Sequence, residues 1–153
     1  MKALTVQEIV EYAIRIEEES CRFYRSAGAI LVDEHTLQAV HILADEEMKH
    51  VNWLRELVQK PEVSSAEMKE VIPIENDALE SLIPTEQINA ATSIHEILSR
   101  ALEREKKTRD LYDRMFEMAT MSVAVRDTFK LLRDQEQEHV LRVKALISDS
   151  DQA

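Results

Sequence analysis

Apolar side chains recur at steps of three and four residues along four long stretches of the chain, as on the buried face of an amphipathic α-helix. The second stretch shows the spacing clearly, in the series Leu37, Val40, Ala44, Val51, Leu54 and Val58. The pattern predicts helices over residues 5–32, 34–60, 93–119 and 122–148. Thr5 with Glu8, and Ser93 with Glu96, are capping-box pairs that start the first and third of these helices. The fold is therefore predicted to be all-α.

The segment between the second and third helices, residues 61–92, differs in character. It contains all three prolines of the chain and only a short helical stretch, around residues 65–71. Because short turns separate the first helix from the second and the third from the fourth, each pair packs as an antiparallel hairpin. We predict a single domain over residues 1–153, a four-helix bundle whose two hairpins are joined by this long crossover connection.

The composition narrows the classes of function. One glycine in 153 residues, with 44% hydrophobic and 32% charged residues, suits long helices. The net charge of −11 argues against nucleic acid or a membrane surface as a partner, since both attract clusters of lysine and arginine. With no signal-peptide core and no membrane-spanning run, a cytoplasmic location is expected. The single cysteine, Cys21, excludes an internal disulfide.

A carboxylate interrupts each of the four apolar stripes. In chain order these residues are Glu17, Glu47, Glu105 and Glu136. In the second and fourth helices a histidine, His50 or His139, follows the glutamate three residues later, on the same helix face. A buried glutamate without a partner is costly, whereas an inward Glu-x-x-His pair offers oxygen and nitrogen ligands to a transition metal. About one such pair is expected by chance in a chain this rich in glutamate, so the metal-site interpretation needs support from its context in the rest of the sequence.

The context is an internal repeat. The corresponding residues are Glu17 and Glu105, at an offset of 88, and Glu47–His50 and Glu136–His139, at an offset of 89. Tyrosine follows the first glutamate of each half at the seventh position, as Tyr24 and Tyr112. Counted from the turns at about 1.5 Å per residue, the two glutamates of each hairpin lie at one level. The two halves therefore bring four carboxylates and two imidazoles together in the core.

Four buried carboxylates without a cation would repel one another, and two divalent cations balance them in charge. In a helix bundle, four carboxylates with two imidazoles suit a pair of iron or manganese ions. We predict Glu47 and Glu136 as bridging ligands, Glu17 and Glu105 as terminal ligands, and one histidine for each metal. The competing interpretation, with salt-bridged carboxylates at a bundle edge and surface histidines, leaves the repeat unexplained.

Four further residues are candidates for supporting the ligands through hydrogen bonds. Tyr24 and Tyr112 are either ordinary core aromatics or donors to a ligand carboxylate. Glu46 and Gln135 each stand directly before a bridging glutamate, and they either hold the imidazole of the opposite helix pair or lie on solvated faces. For Cys21, four residues after Glu17, a small buried core residue is favoured over a group that faces the site.

These motifs resemble those of the ferritin-like superfamily, and most closely the rubrerythrin-type diiron proteins. The resemblance covers residues 5–148 and is carried by Glu17 with Tyr24, Glu47-Met48-Lys49-His50, Glu105 with Tyr112, and Glu136-Gln137-Glu138-His139. It implies a ferritin-like bundle with two iron ions, manganese or a mixed pair being alternatives. It also implies a reaction with hydrogen peroxide or dioxygen, in oxidative-stress defence and iron handling.

Two departures from the rubrerythrin pattern bear on function. Rubrerythrins carry a rubredoxin-like domain with four cysteines, and with one cysteine this chain is expected to need a separate, rubredoxin-like electron donor. They also carry an additional carboxylate ligand where this chain has Thr108, which leaves a six-ligand set closer to that of bacterioferritin.

Three functions stay open on the sequence. The first is a diiron oxidoreductase with no catalytic residues beyond the metal ligands. The others are an iron-binding ferroxidase or store, and a scaffold bundle that keeps the metal for stability. A homodimer is expected in each case.

Overall fold

The computed structural model describes residues 3–83, 87–120 and 122–151, so that Pro84 lies outside the described residues. In chain order the elements are β1 (Ala3–Thr5), α1 (Val6–Ile30), α2 (Glu34–Gln59), α3 (Ser65–Met68), β2 (Val71–Glu75), α4 (Asn76–Glu80), α5 (Ile94–Met118) and α6 (Val123–Asp151). Helix α1 packs along α2, and α5 along α6, as two hairpins that together make a four-helix bundle. Within the described ranges, no helix is both long and apolar enough to cross a membrane.

Side-chain caps define where the long helices begin. The Thr5 hydroxyl accepts the backbone N–H of Glu8 at 3.2 Å, and the Glu8 carboxylate accepts the N–H of Thr5 at 3.1 Å. Asp33 and Ser93 also cap α2 and α5, each by accepting one backbone N–H, at 3.0 and 3.1 Å. The observed ends of the four helices lie within three residues of the predicted ones. The largest difference is in α6, which continues past residue 148 to Asp151.

The crossover connection is more ordered than its sequence suggests. Its strand β2 pairs antiparallel with β1, with Leu4 opposite Ile72 and Thr5 opposite Val71. The sequence pattern does not predict this ribbon, because a three-residue strand is too short to show an alternating period. Ile72, Ile74 and Leu79 are buried against the start of α1, so the crossover closes one end of the bundle.

The apolar core is divided into two clusters. One contains residues from the start of α1 and α6 and from the ends of α2 and α5, such as Ile9, Leu54, Met115 and Phe129. The other lies towards the opposite end of the bundle, with Ala27, Leu43, Ile97 and Val143 among its members. Along each helix, the glutamate that interrupts the stripe falls between the two clusters. The fold therefore has a polar layer in the middle of its core.

Candidate metal centre

The structure brings the six predicted ligands together in this middle layer. Each of the six is at most 2% exposed. One helix of each hairpin contributes a glutamate alone, and the other contributes a Glu-x-x-His pair. In order of the helices, the ligands are Glu17 on α1, Glu47 and His50 on α2, Glu105 on α5, and Glu136 and His139 on α6.

The ligand atoms form two overlapping groups of four, each lying within 4.8 Å of one another. The first group is Glu17, Glu47, His50 and Glu136, and the second is Glu47, Glu105, Glu136 and His139. Glu47 and Glu136 belong to both groups. The arrangement suits a dinuclear centre with two shared carboxylates, in which each position has three carboxylates and one imidazole.

Both imidazoles turn Nδ1 towards the carboxylates. His50 Nδ1 lies 3.0 Å from Glu17 Oε2 and 2.9 Å from Glu136 Oε1. His139 Nδ1 lies 2.7 Å from Glu47 Oε1 and 3.3 Å from Glu105 Oε2. The two rings stack with their centroids 5.4 Å apart. The Nδ1 atoms are therefore the nitrogens available to metals in this layer.

Several buried polar atoms of the layer have no hydrogen-bond partner among the described residues. These atoms are His50 Nε2, Glu47 Oε1, Glu105 Oε2, both carboxylate oxygens of Glu136, and His139 Nδ1. The short distance from His139 Nδ1 to Glu47 Oε1 lacks the angles of a hydrogen bond. Unpartnered buried polar atoms are uncommon, and carboxylate oxygen with imidazole nitrogen is the donor set that iron and manganese take. The residues fit a pair of such ions.

The two shared glutamates resist ionisation in the metal-free layer. Burial raises the pKa of Glu47 and Glu136 well above the usual glutamate value, and the charges of the neighbouring glutamates add to the effect. Burial has the same tendency at Glu17, but the charge of His50 and hydrogen bonds to the carboxylate lower its pKa to about 2. At Glu105, the close approach of the Glu136 and His139 side chains and the charge of His139 outweigh burial and lower the pKa.

The pKa values of both histidines are raised by the neighbouring carboxylates. Burial by itself lowers the pKa of an imidazole, but this effect is outweighed by Glu17 at His50 and by the surrounding carboxylates at His139. Without metal these shifts favour carboxylates at Glu17 and Glu105, imidazolium ions at both histidines, and carboxylic acids at Glu47 and Glu136. The charges of these forms cancel, so that bound protons balance the carboxylates as two divalent cations would.

Each tyrosine donates a hydrogen bond to a buried glutamate of the opposite hairpin. The hydroxyl of Tyr24 donates to Glu105 Oε1 at 2.6 Å, and that of Tyr112 donates to Glu17 Oε1 at 2.6 Å. Burial and the nearby carboxylates raise the pKa of both phenols, so the hydroxyls keep the proton that they donate. Of the two interpretations of these tyrosines, the structure places them in the second, as donors to carboxylates of the centre.

Glu46 and Gln135 behave differently, although they are equivalent in the repeat. Glu46 Oε2 accepts a bond from His139 Nε2 at 2.7 Å. Gln135 does not hold His50, because His50 Nε2 has no hydrogen-bond partner among the described residues. Instead Trp53, one turn beyond His50 on α2, packs against its imidazole at a centroid distance of 5.4 Å. Of the two alternatives for Gln135, support of the opposite imidazole is therefore not observed among the described residues.

Two residues beside the centre are absent from the sequence prediction. Arg142 Nη1 donates to Glu46 Oε2 at 2.8 Å, and Trp53 packs on His50. The repeat could have indicated both, since residues 53 and 142 correspond at its offset of 89. Thr108, which stands where rubrerythrins carry an additional carboxylate ligand, is buried, and its hydroxyl donates to the backbone oxygen of Arg104 at 2.9 Å. Cys21 lies in the second apolar cluster.

Comparison with known proteins agrees with this geometry. The sequence pattern of the Rubrerythrin family matches residues 8–147. A crystal structure from Thermotoga maritima, of a protein described as ferritin-like and diiron-carboxylate, is similar with a TM-score of 0.78 at 23% identity. The match covers 98% of this chain and 99% of that one, and it shows that the bundle has the ferritin-like fold. Among curated proteins, none matches the chain.

Proposed function

Because the chain belongs to the rubrerythrin family, we propose that it is a non-haem diiron oxidoreductase that reacts with hydrogen peroxide or dioxygen. Its role is in oxidative-stress defence and iron handling. The observation that carries the proposal is the pair of buried four-residue groups that share Glu47 and Glu136. Four carboxylates balance the charge of two ferrous ions, which is what a site in an apolar core requires.

In the proposed centre each ion would be held by one terminal glutamate, one histidine and the two shared carboxylates. Glu17 and His50 would complete one position, and Glu105 and His139 the other. When bound, two ferrous ions supply the two electrons that reduce one hydrogen peroxide to two waters, with two protons from solvent, and become ferric.

The protein contributes orientation and exclusion of water. Tyr24 and Tyr112 hold one oxygen of each terminal carboxylate, so that the other oxygen is directed inward. The apolar clusters on both sides of the layer keep bulk water from the ligands, which are at most 2% exposed. In such surroundings the interaction between a carboxylate and a cation is stronger than in water.

A second candidate function is that of a ferroxidase or iron store. The observation that favours it is Thr108, which bonds the backbone oxygen of Arg104 at the position where rubrerythrins carry an additional carboxylate ligand. An oxidoreductase with repeated turnover takes electrons from a donor, for which we propose a rubredoxin-like protein. A ferroxidase needs no donor, because its substrate Fe²⁺ is itself the reductant.

Rapid mixing of the anaerobic ferrous protein with hydrogen peroxide, or with dioxygen, tests the proposal. We expect oxidation of both ions by at least one oxidant, and continued peroxide consumption only when a rubredoxin-like donor is supplied. Continued uptake of Fe²⁺ beyond two ions per chain, without a donor, would favour the ferroxidase or store. If neither oxidant reacts with the iron, the metal pair is structural and the oxidoreductase proposal fails.

A further inference from the structure

The two metal positions of the proposed centre are alike in their carboxylates. Each position has one terminal and two shared glutamates. Each terminal glutamate accepts a tyrosine hydrogen bond of the same length, 2.6 Å. Among the described residues, the positions differ in hydrogen bonding behind the imidazoles, at the ring nitrogen that faces away from the carboxylates.

At His139 this outer nitrogen is held. Nε2 lies 2.7 Å from Glu46 Oε2, and Arg142 donates to the same oxygen at 2.8 Å. The Glu46 side chain is 20% exposed, so this hydrogen bond is largely shielded from water. A neutral imidazole that donates from Nε2 carries its proton there and leaves the Nδ1 lone pair free for a metal. Glu46 thus orients the ring and selects the tautomer that binds.

At His50 the outer nitrogen has no such support. Nε2 is buried and has no hydrogen-bond partner in the described part of the chain, and Trp53 packs against the ring. In the repeat, Gln135 stands in place of Glu46 and Trp53 in place of Arg142. A metal that binds Nδ1 leaves the proton on Nε2, where it finds no acceptor, and a buried donor without an acceptor is unfavourable.

We propose that the two metal positions are inequivalent, with the His139 position filling first and the His50 position second. The inference rests on the proposed dinuclear centre, and Glu46 acts in it as a positioning residue through His139. Loss of such an outer hydrogen bond weakens metal binding by roughly 10–100-fold, which is the expected separation of the two affinities. Between these affinities the chain holds one ion, so two-electron chemistry begins only when the His50 position fills.

Anaerobic titration of the metal-free protein with Co²⁺, followed by absorption and calorimetry, tests the inference. The wild type should show two steps, the second weaker by roughly 10-fold or more. Glu46→Ala should weaken the first step by roughly 10–100-fold and leave the second unchanged. Glu46→Gln keeps an oxygen acceptor and should recover part of the loss. Glu138→Ala is the matched control, because it removes an exposed carboxylate beside His139.

The converse variant transfers the support to the other position. Gln135→Glu with Trp53→Arg should tighten the second step towards the first, and Gln135→Glu alone is used if melting curves show that the double variant is not folded. Two indistinguishable steps in the wild type, or equal weakening of both steps in Glu46→Ala, would overturn the inequivalence while leaving the dinuclear centre in place. Absence of Co²⁺ binding would overturn the proposed centre itself.

Discussion

Loading the metal-free protein with two divalent cations is expected to release up to four protons per chain, one for each group in the layer with a raised pKa. The raised pKa values favour the carboxylic acid form of Glu47 and Glu136 and the imidazolium form of His50 and His139. Metal binding requires carboxylates and neutral imidazoles, so each of the four groups gives up one proton.

The number of protons released on metal binding distinguishes this buried layer from an exposed site. Groups with ordinary pKa values would already have lost their protons: the glutamates fully, and the histidines to about three-quarters at pH 7. Such a site would release only about half a proton in total. The buried layer is expected to release more, up to four protons, because burial raises the pKa of the shared glutamates and the surrounding carboxylates raise the pKa of the histidines.

Calorimetric titration of the metal-free protein with Zn²⁺ in buffers of different ionisation enthalpy measures the released protons directly. Zn²⁺ is suitable because it undergoes no oxidation. The double variant Glu56→Ala, Glu138→Ala is the control, since it removes two exposed carboxylates from α2 and α6 and should release as many protons as the wild type. Release of one proton or fewer by the wild type would refute the charge distribution described for the layer.

Three further outcomes follow from the same contacts. In the metal-free protein, the raised pKa values of Glu47, Glu136 and both histidines stabilise the fold at low pH, and this stability is lost as the pH rises through those values. The lowered pKa values of Glu17 and Glu105 have the opposite effect, in which stability is lost as the pH falls below the usual glutamate value of 4.5. The melting-temperature difference between loaded and chelated protein should therefore widen from about pH 5 to about pH 8, and a constant difference would contradict the pKa shifts. Tyr24→Phe should lower the free energy of unfolding by about 1.5–3 kcal/mol in urea titration, because Glu105 loses a buried donor, and an unchanged midpoint would contradict that bond. Thr5→Ala should cost about 1 kcal/mol through loss of the α1 cap without changing metal content, and loss of metal would contradict a purely local role.

The bundle and the position of its buried layer of glutamates and histidines could be predicted because both leave periodic signals in the chain. A carboxylate in an apolar stripe stands out at helical spacing, and the repeat places it at the same height in both hairpins. The β1–β2 ribbon leaves no such signal, since it depends on contacts between short segments far apart in sequence.

Side-chain contacts between the two hairpins also cannot be predicted from the local sequence pattern. Tyr24 follows Glu17 by two helical turns in sequence, yet its hydroxyl bonds Glu105 of the other hairpin. Likewise the repeat makes Glu46 and Gln135 equivalent. In the described residues Glu46 bonds both His139 and Arg142, whereas His50 packs against Trp53 and its Nε2 has no hydrogen-bond partner. Such differences arise from side-chain packing, which repeat symmetry does not determine.

Metal analysis of the double variant Glu47→Ala, Glu136→Ala tests the central claim most directly, because these two carboxylates belong to both ligand groups. The wild type, and the exposed control Glu56→Ala, Glu138→Ala, should each contain two metal ions per chain. The variant should retain a melting transition and contain almost none. Two ions per chain in the folded variant would contradict the assignment of the buried layer as the metal centre.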